Sequence, residues 1–331
     1  MFVTTRLFEN IANDCIHRLL NLNFKRLGIN EYNLQYIEDI LPQINYHFSI
    51  YKCSINLVTR GKYEGTIVDF GGGHGFLSCF LKMLGFNVIY CDNNPLAIST
   101  VKKIGAALQS VPDVIIEGSV IELSTFCKTN NIKPDYLISI DVIEHIYDLE
   151  GFFSGLRNIN PKMEMCFTTR ANPCNFRQRK RLFKMMDEIE RNFFLPMREE
   201  YISKRYPEFN EREIQTLSVL SRGKTYDDIT KIVNEYLLNG SLPPKTTPHN
   251  TCDPNSGSWI ELILPLKTYK SIINTAGFAV SFKNGFYATD QQGCIKKALY
   301  YTLNRVLQYG GKPAMTIAPF IILKTKSKRA L

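Results

Sequence analysis

No stretch of the chain reaches the roughly 18 to 20 uninterrupted apolar residues that a membrane-spanning helix requires. The first twenty residues, MFVTTRLFENIANDCIHRLL, put charges where a secretory signal would carry its apolar core. The expectation is a soluble, cytoplasmic chain with no membrane span. Paired cysteines are missing too. The nine present are scattered singly, an odd total with no CxxC, which speaks against a disulfide framework and a zinc knuckle and for reduced core thiols. Acidic residues are in the minority, 31 against 40 basic ones, for a formal net charge of +9. Such a balance favours an anionic partner, whether a phosphorylated or carboxylated substrate, nucleic acid or a membrane surface, without choosing among them. Part of the excess is local. RQRKRLFK carries Arg177, Arg179, Lys180, Arg181 and Lys184 with no acid, and the terminal KTKSKR adds Lys324, Lys326, Lys328 and Arg329. There is no internal repeat, and 44% apolar content over 331 residues is enough for one large core or two ordinary ones.

Spaced apolar positions in LFENIANDCIHRLLNLNF and LQYIEDILPQINYHF predict a helical cap over residues 1–60. From Thr66 the rhythm changes. Short apolar runs (TIVDF, NVIYC, DVIIEG, DYLISI, MEMCFTT) alternate with amphipathic stretches read as helices at 75–84, 95–108, near 121–130 and near 149–158. Strands and helices of those lengths in alternation imply an α/β architecture, a doubly wound, mostly parallel sheet covered on both faces. After Arg170 the alternation stops. A polar, mostly helical insertion spans residues 171–259, punctuated by prolines and closed by the loop NGSLPPKTTPHNTCDPNSGS. The sheet region then resumes over 260–331 with a helix in PLKTYKSIINTAG, strands in FAVSFKNGFY and MTIAPFIILKT, and a helix around 291–308 between them. Those last strands bring the sheet to seven, with residues 61–170 and 260–331 forming one core.

Four glycines stand within five positions where the first strand turns into its helix: Gly71, Gly72, Gly73 and Gly75. In a doubly wound sheet that is where ligands bind. Glycine there permits positive φ and close backbone approach, and the helix start favours anionic groups. A phosphate-gripping loop would need GxxxxGK[ST], which is absent. A dinucleotide fingerprint would need a third glycine where Phe76 stands. What remains is an acid two residues before GxGxG, Asp69-Phe70-Gly71-Gly72-Gly73-His74-Gly75. This arrangement resembles motif I of the class I S-adenosylmethionine-dependent methyltransferases.

The resemblance extends over residues 66–170 and 262–324. It implies a Rossmann-like seven-stranded sheet whose final strand enters antiparallel, S-adenosylmethionine as methyl donor, and a methyltransferase activity. Asp69 would hold the donor's amino group, and the glycines would give the backbone approach. Asp92, with Asn93 beside it, would accept hydrogen bonds from the ribose hydroxyls. Ser119 and Val120 stand where the family usually carries an acid for the adenine. Asp141 ends the fourth strand, and Asp141, Glu144 and His145 form the DxxEH pattern seen in small-molecule and lipid methyltransferases of this class; nucleic-acid amino-methyltransferases tend to carry an Asn/Asp-Pro-Pro-Tyr-like run there. The expected acceptor is therefore a small molecule, anionic on the charge balance, and not nucleic acid. His145 and, from the loop PHNTCDPNSGSW, His249 and Asp253 are candidates for the acceptor side of the site. No metal is expected, since His249, Cys252 and Asp253 lack a fourth ligand. His74 is expected to turn outward. Two alternatives stay open: a nucleic-acid methyltransferase using Arg177 to Lys184 as a phosphate track, and a non-catalytic scaffold that binds the donor.

Overall fold

A computed structural model describes residues 5–243, 248–289 and 293–328; Arg329 of the basic tail lies outside them. Three helices come first, α1 (Thr5–Leu20), α2 (Glu31–Ile40) and α3 (Ile44–Thr59). Then β1 (Thr66–Phe70), α4 (Phe76–Met83), β2 (Asn87–Asp92), α5 (Pro95–Leu108), β3 (Val114–Glu117), α6 (Val120–Thr129), β4 (Tyr136–Ile140), α7 (Leu149–Ile159) and β5 (Glu164–Thr169) alternate. Local chemistry sets the helix starts. Pro95 opens α5 behind Asn94, whose side chain accepts the Leu96 N–H. Ser119 and Glu122 form a reciprocal capping box on α6.

The sheet has seven strands in the order β3-β2-β1-β4-β5-β7-β6, completed by β6 (Phe278–Asn284) and β7 (Ile321–Ser327). β1 to β5 pair in parallel, and β7 runs antiparallel between β5 and β6. This is the sheet that the resemblance to class I methyltransferases implies. The last strand is shorter than MTIAPFIILKT suggested. Residues Pro313–Thr316 form a 3-10 turn, and regular pairing starts only at Ile321, because Pro319 has no N–H to give a ladder.

Adjacent strand residues face opposite cores. Ile67, Val88 and Ile138 pack with α1, α3 and α4, whereas Val68, Ile89 and Leu137 pack with α6, α7 and α12 (Leu266–Thr275). The three N-terminal helices thus share one apolar core with a face of the sheet. Between β5 and α12 lie α8 (Phe176–Ile189), a π-helical stretch Glu190–Phe194, α9 (Leu195–Arg205), α10 (Glu211–Leu220) and α11 (Tyr226–Asn239). The last three helices keep a small core of their own, built on Ile202, Leu217, Ile229 and Val233. Helix α13 (Cys294–Tyr309) connects β6 to β7.

Candidate functional site

At the carboxyl ends of β1 and β4, where the strand order reverses direction, a cavity of about 390 Å³ opens. Its floor is the glycine loop. Gly71, Gly73 and Gly75 all sit at positive φ (68, 53 and 82°). A Cβ on Gly71 would strike Val142 at 2.5 Å, one on Gly72 would strike the Tyr90 ring at 2.5 Å, and one on Gly75 would strike Val101 at 2.4 Å. Gly73 is different: a Cβ there meets nothing within 4 Å. Three of the glycines are needed for the loop to pack, and the fourth leaves its surface bare.

Asp69 lines the cavity while only 2% exposed, and its Oδ2 accepts the Ser78 hydroxyl at 2.7 Å. Burial raises its carboxyl to about 7, against the Ser78 bond and with help from the charge of Asp92. Asp92 ends β2 below the loop. Its Oδ2 accepts the Gly73 N–H and its Oδ1 the Asn94 N–H, both at 2.9 Å, so each oxygen keeps one lone pair. Asn93 is exposed beside it. At the start of α6 the Ser119 hydroxyl and N–H are both committed to Glu122 Oε2 at 2.7 Å. The remaining donor at that place is the first-turn N–H of Val120, which a helix leaves without an internal partner.

On the β4 side, Asp141 lines the cavity in a left-handed conformation, φ 54°, held there by an N–H bond to Thr168 and a Thr168 hydroxyl donating to Oδ1 at 3.0 Å. Its Oδ2 takes Arg170 Nε at 2.9 Å. His145 also lines the cavity, with Nδ1 2.8 Å from the Trp259 carbonyl. A carbonyl only accepts, so Nδ1 carries a proton, and in the neutral tautomer the lone pair lies on Nε2. Glu144 and Glu261 complete this wall. Each has a buried Oε2 without a hydrogen-bond partner, and burial raises both carboxyls, that of Glu144 well above its ordinary value.

The roof comes from the N-terminal helices: Tyr36 on α2, His47 and Tyr51 on α3. Burial and then the charge of Arg170 lower His47 to about 4, so the ring is neutral at neutral pH. None of these three, nor Arg170 or Glu261, stands out in the sequence by motif. They arrive by tertiary packing, although Arg170 directly follows β5 and could have been read from that position.

Three expectations are corrected here. His74 does not turn outward; it is buried, its ring tilted against that of Phe76 with centroids 4.0 Å apart, and its Nδ1 accepts the Phe76 N–H. His249 does not reach the cavity. It stacks on Phe183 at 4.1 Å with Nδ1 3.0 Å from Asp187, an anchor for α8. Asp253 braces a turn, accepting the Asn255 N–H at 2.8 Å and the Ser256 hydroxyl at 2.9 Å. What the same loop does bring to the site is its far end: Trp259 N–H donates to the His145 carbonyl, Leu262 N–H to that of Glu144, and Glu261 between them faces inward. Among the described residues no three side chains could hold a metal ion, and no helix is long and apolar enough to cross a membrane.

No protein-family model matches the chain, and no curated protein matches it. Solved structures with a similar backbone include phosphoethanolamine N-methyltransferase 2 from Haemonchus contortus in complex with S-adenosyl-L-methionine, 10% identical with a TM-score of 0.42 over 85% of this chain and 53% of that one. PKMT2 from Rickettsia typhi in complex with AdoHcy is 12% identical with a TM-score of 0.42, over 81% of this chain and 50% of that one. Precorrin-6y C5,15-methyltransferase from Geobacter metallireducens is 10% identical with a TM-score of 0.31, over 42% and 70%. The chain thus spans about half the length of the first two. Likenesses this distant concern the fold alone.

Proposed function

We propose that the chain is an S-adenosylmethionine-dependent methyltransferase acting on a small-molecule acceptor. The observation that carries the reading is Gly73 facing open space between a buried Asp69 and a half-committed Asp92. This cradle suits an amino acid joined to a nucleoside. The cavity volume falls in the range of about 300–1,000 Å³ common for small-ligand sites, and its carboxylates suit a sulfonium cation with an ammonium group. Asp69 would hold the ammonium, the loop would lie against the amino-acid portion, Asp92 would take the ribose hydroxyls through its free lone pairs, and Val120 N–H would meet the base. Asn93 and Ser119 have no comparable part to play, since one faces solvent and the other is spent on its cap.

When bound, the donor supplies an electrophilic methyl: the acceptor's lone pair forms the new bond as the carbon–sulfur bond breaks and its electrons return to sulfur, any acceptor proton passing to a base or water. The protein's contribution is alignment and dryness. Tyr36, His47 and Tyr51 close the cavity from above, and Asp141, fixed by Arg170 and Thr168, sets the wall toward the acceptor. His145, through Nε2, and His47 are the histidines within reach as proton acceptors, although burial and the charge of Arg170 lower His47 to about 4 and make it a weak base. Residues 171–259 would shape the acceptor side.

Purified protein incubated with labelled methyl donor and fractionated cell extract tests this. Label appearing in a low-molecular-weight product is the expected result. Label only in nucleic acid, or none in any fraction, overturns it.

A further inference from the structure

A second cavity, of about 710 Å³, adjoins the first, and Arg170 lines both. The two differ in the ionisable groups that line them. The first is lined by Asp39, Asp69, Asp141, Glu144 and Glu261, whereas the second has no carboxylate in its lining and three guanidinium groups, Arg170, Arg177 and Arg181. Arg177 and Arg181 stand one turn apart on α8 and are both exposed. Among the described residues neither has a carboxylate within ion-pair distance, although acids are available nearby: Lys184 on the same helix pairs with Glu188, and Arg222 with Asp187. The walls beyond them are apolar and aromatic. The Phe176 ring is 64% exposed at the rim, and Tyr287, stacked on Tyr300 at 4.8 Å, stands with Ile317 in the lining.

Two unpaired guanidiniums in a concave site attract an oxyanion, since arginine binds carboxylate and phosphate with paired hydrogen bonds. The difference between carboxyl and guanidinium linings then assigns the occupants. A cationic donor belongs in the carboxylate-lined cavity, and the neighbouring one suits an anion. A continuous nucleic-acid track fits less well. The Arg179 guanidinium is tied to the Pro173 carbonyl at 3.0 Å, and Arg170, Tyr287 and Ile317, outside α8, join it in lining the cleft, closing what would otherwise be an open stripe.

We propose that this cleft takes the methyl acceptor, and that the acceptor is an oxyanion, a carboxylate or a phosphate, on an apolar or aromatic body. Arg177 and Arg181 grip the oxyanion, and the reacting end points past Arg170 toward the donor cavity. This rests on the methyltransferase reading.

The test uses the full chain and the Arg177→Ala/Arg181→Ala double variant, which lies on an exposed helix face and should retain the wild-type circular dichroism. Each is titrated at fixed ionic strength with phenyl phosphate, with 4-hydroxybenzoate and, separately, with S-adenosylhomocysteine. The expected result is wild-type binding of at least one probe, weakened about tenfold or more in the double variant, with S-adenosylhomocysteine affinity unchanged within a few fold. Which probe binds separates phosphate from carboxylate. Failure of both probes to bind the wild type, or equal binding to both proteins, overturns the oxyanion cleft. So does a short RNA that binds with steep salt dependence, loses that binding in the variant and is not displaced by either probe. A wild type that binds a probe but not S-adenosylhomocysteine overturns the methyltransferase reading, and with it the acceptor role, while leaving the oxyanion site standing.

Discussion

Asp69 is a carboxyl raised to about 7 by burial, and that gives donor binding a pH signature. Its protonated form persists in the folded protein at pH values where an ordinary carboxyl is ionised. An ammonium group binds the ionised form, so below pH 7 a proton must leave first. Donor or product affinity is therefore predicted to fall as pH drops from 7 toward 5, by up to about tenfold per unit. Titrations across that window should show the slope, and Asp69→Asn should abolish it together with most of the affinity. The glycines make a second residue-scale prediction. Gly75→Ala drives a Cβ into Val101 at 2.4 Å and should cost about 1–3 kcal/mol from overpacking with a left-handed backbone penalty of about 1–2 kcal/mol added, read as a lower Tm. Gly73→Ala carries only the backbone penalty, since nothing lies within 4 Å, but its methyl enters the donor space and should weaken product binding more than it lowers Tm. Equal profiles for the two variants would mean that Gly73 does not face the ligand. Asp69, the glycines, Asp92 and Asp141 were legible in the sequence because each sits at a strand end, a place fixed by local pattern. Tyr36, His47 and Tyr51 were not, because nothing local distinguishes a roof residue from any other on an amphipathic helix. His249 misled for a related reason: a polar loop over the sheet looks like an acceptor loop until Phe183 and Asp187 are seen to hold it.

At the scale of elements, the alternation of strand and helix was readable from apolar periodicity almost to the residue, and Pro95–Leu108 coincides with the observed helix. The insertion was readable only as helical. Its internal arrangement depends on a buried ion pair that no pattern announces. Arg198 is fully buried, with its guanidinium on the Glu190 carboxylate and its Nε on the Ser218 carbonyl at 2.9 Å, while Glu190 also accepts the Thr251 hydroxyl at 2.6 Å. One pair therefore joins the π-helical stretch, α9, α10 and the returning loop. Arg198→Ala, which leaves Glu190 buried and unpaired, should cost about 3–5 kcal/mol and appear as faster hydrogen exchange through α9 to α11 while β1 to β5 stay protected. Uniform protection loss would mean the insertion and sheet unfold as one. Deleting residues 176–245 is the stronger test of the same element. A folded deletion should bind product within a few fold of wild type and lose turnover, because the glycine loop, Asp92 and Val120 remain while Arg177 and Arg181 are gone. Loss of product binding in a folded deletion would refute this division of labour.

For the whole molecule, the net charge of +9 favours an anionic partner without locating it. The structure divides the charge, concentrating carboxylates in one cavity and guanidiniums in the next, with the Arg170–Asp141 pair at their junction. Composition cannot reveal that division because it depends on which elements meet at the sheet's carboxyl edge: the turn after β4, the first two turns of α8, the N-terminal helices and the segment around Glu261. The proposed methyl transfer between the two cavities would require before anything else that the first one bind the donor. Calorimetric titration of S-adenosylhomocysteine into wild-type protein and into Asp92→Asn, which keeps an acceptor for the Gly73 or Asn94 N–H, addresses that requirement most directly. Saturable one-to-one binding to the wild type, weakened about tenfold or more by the substitution, is the predicted result; no heat with the wild type, or equal affinity in the two proteins, would contradict it.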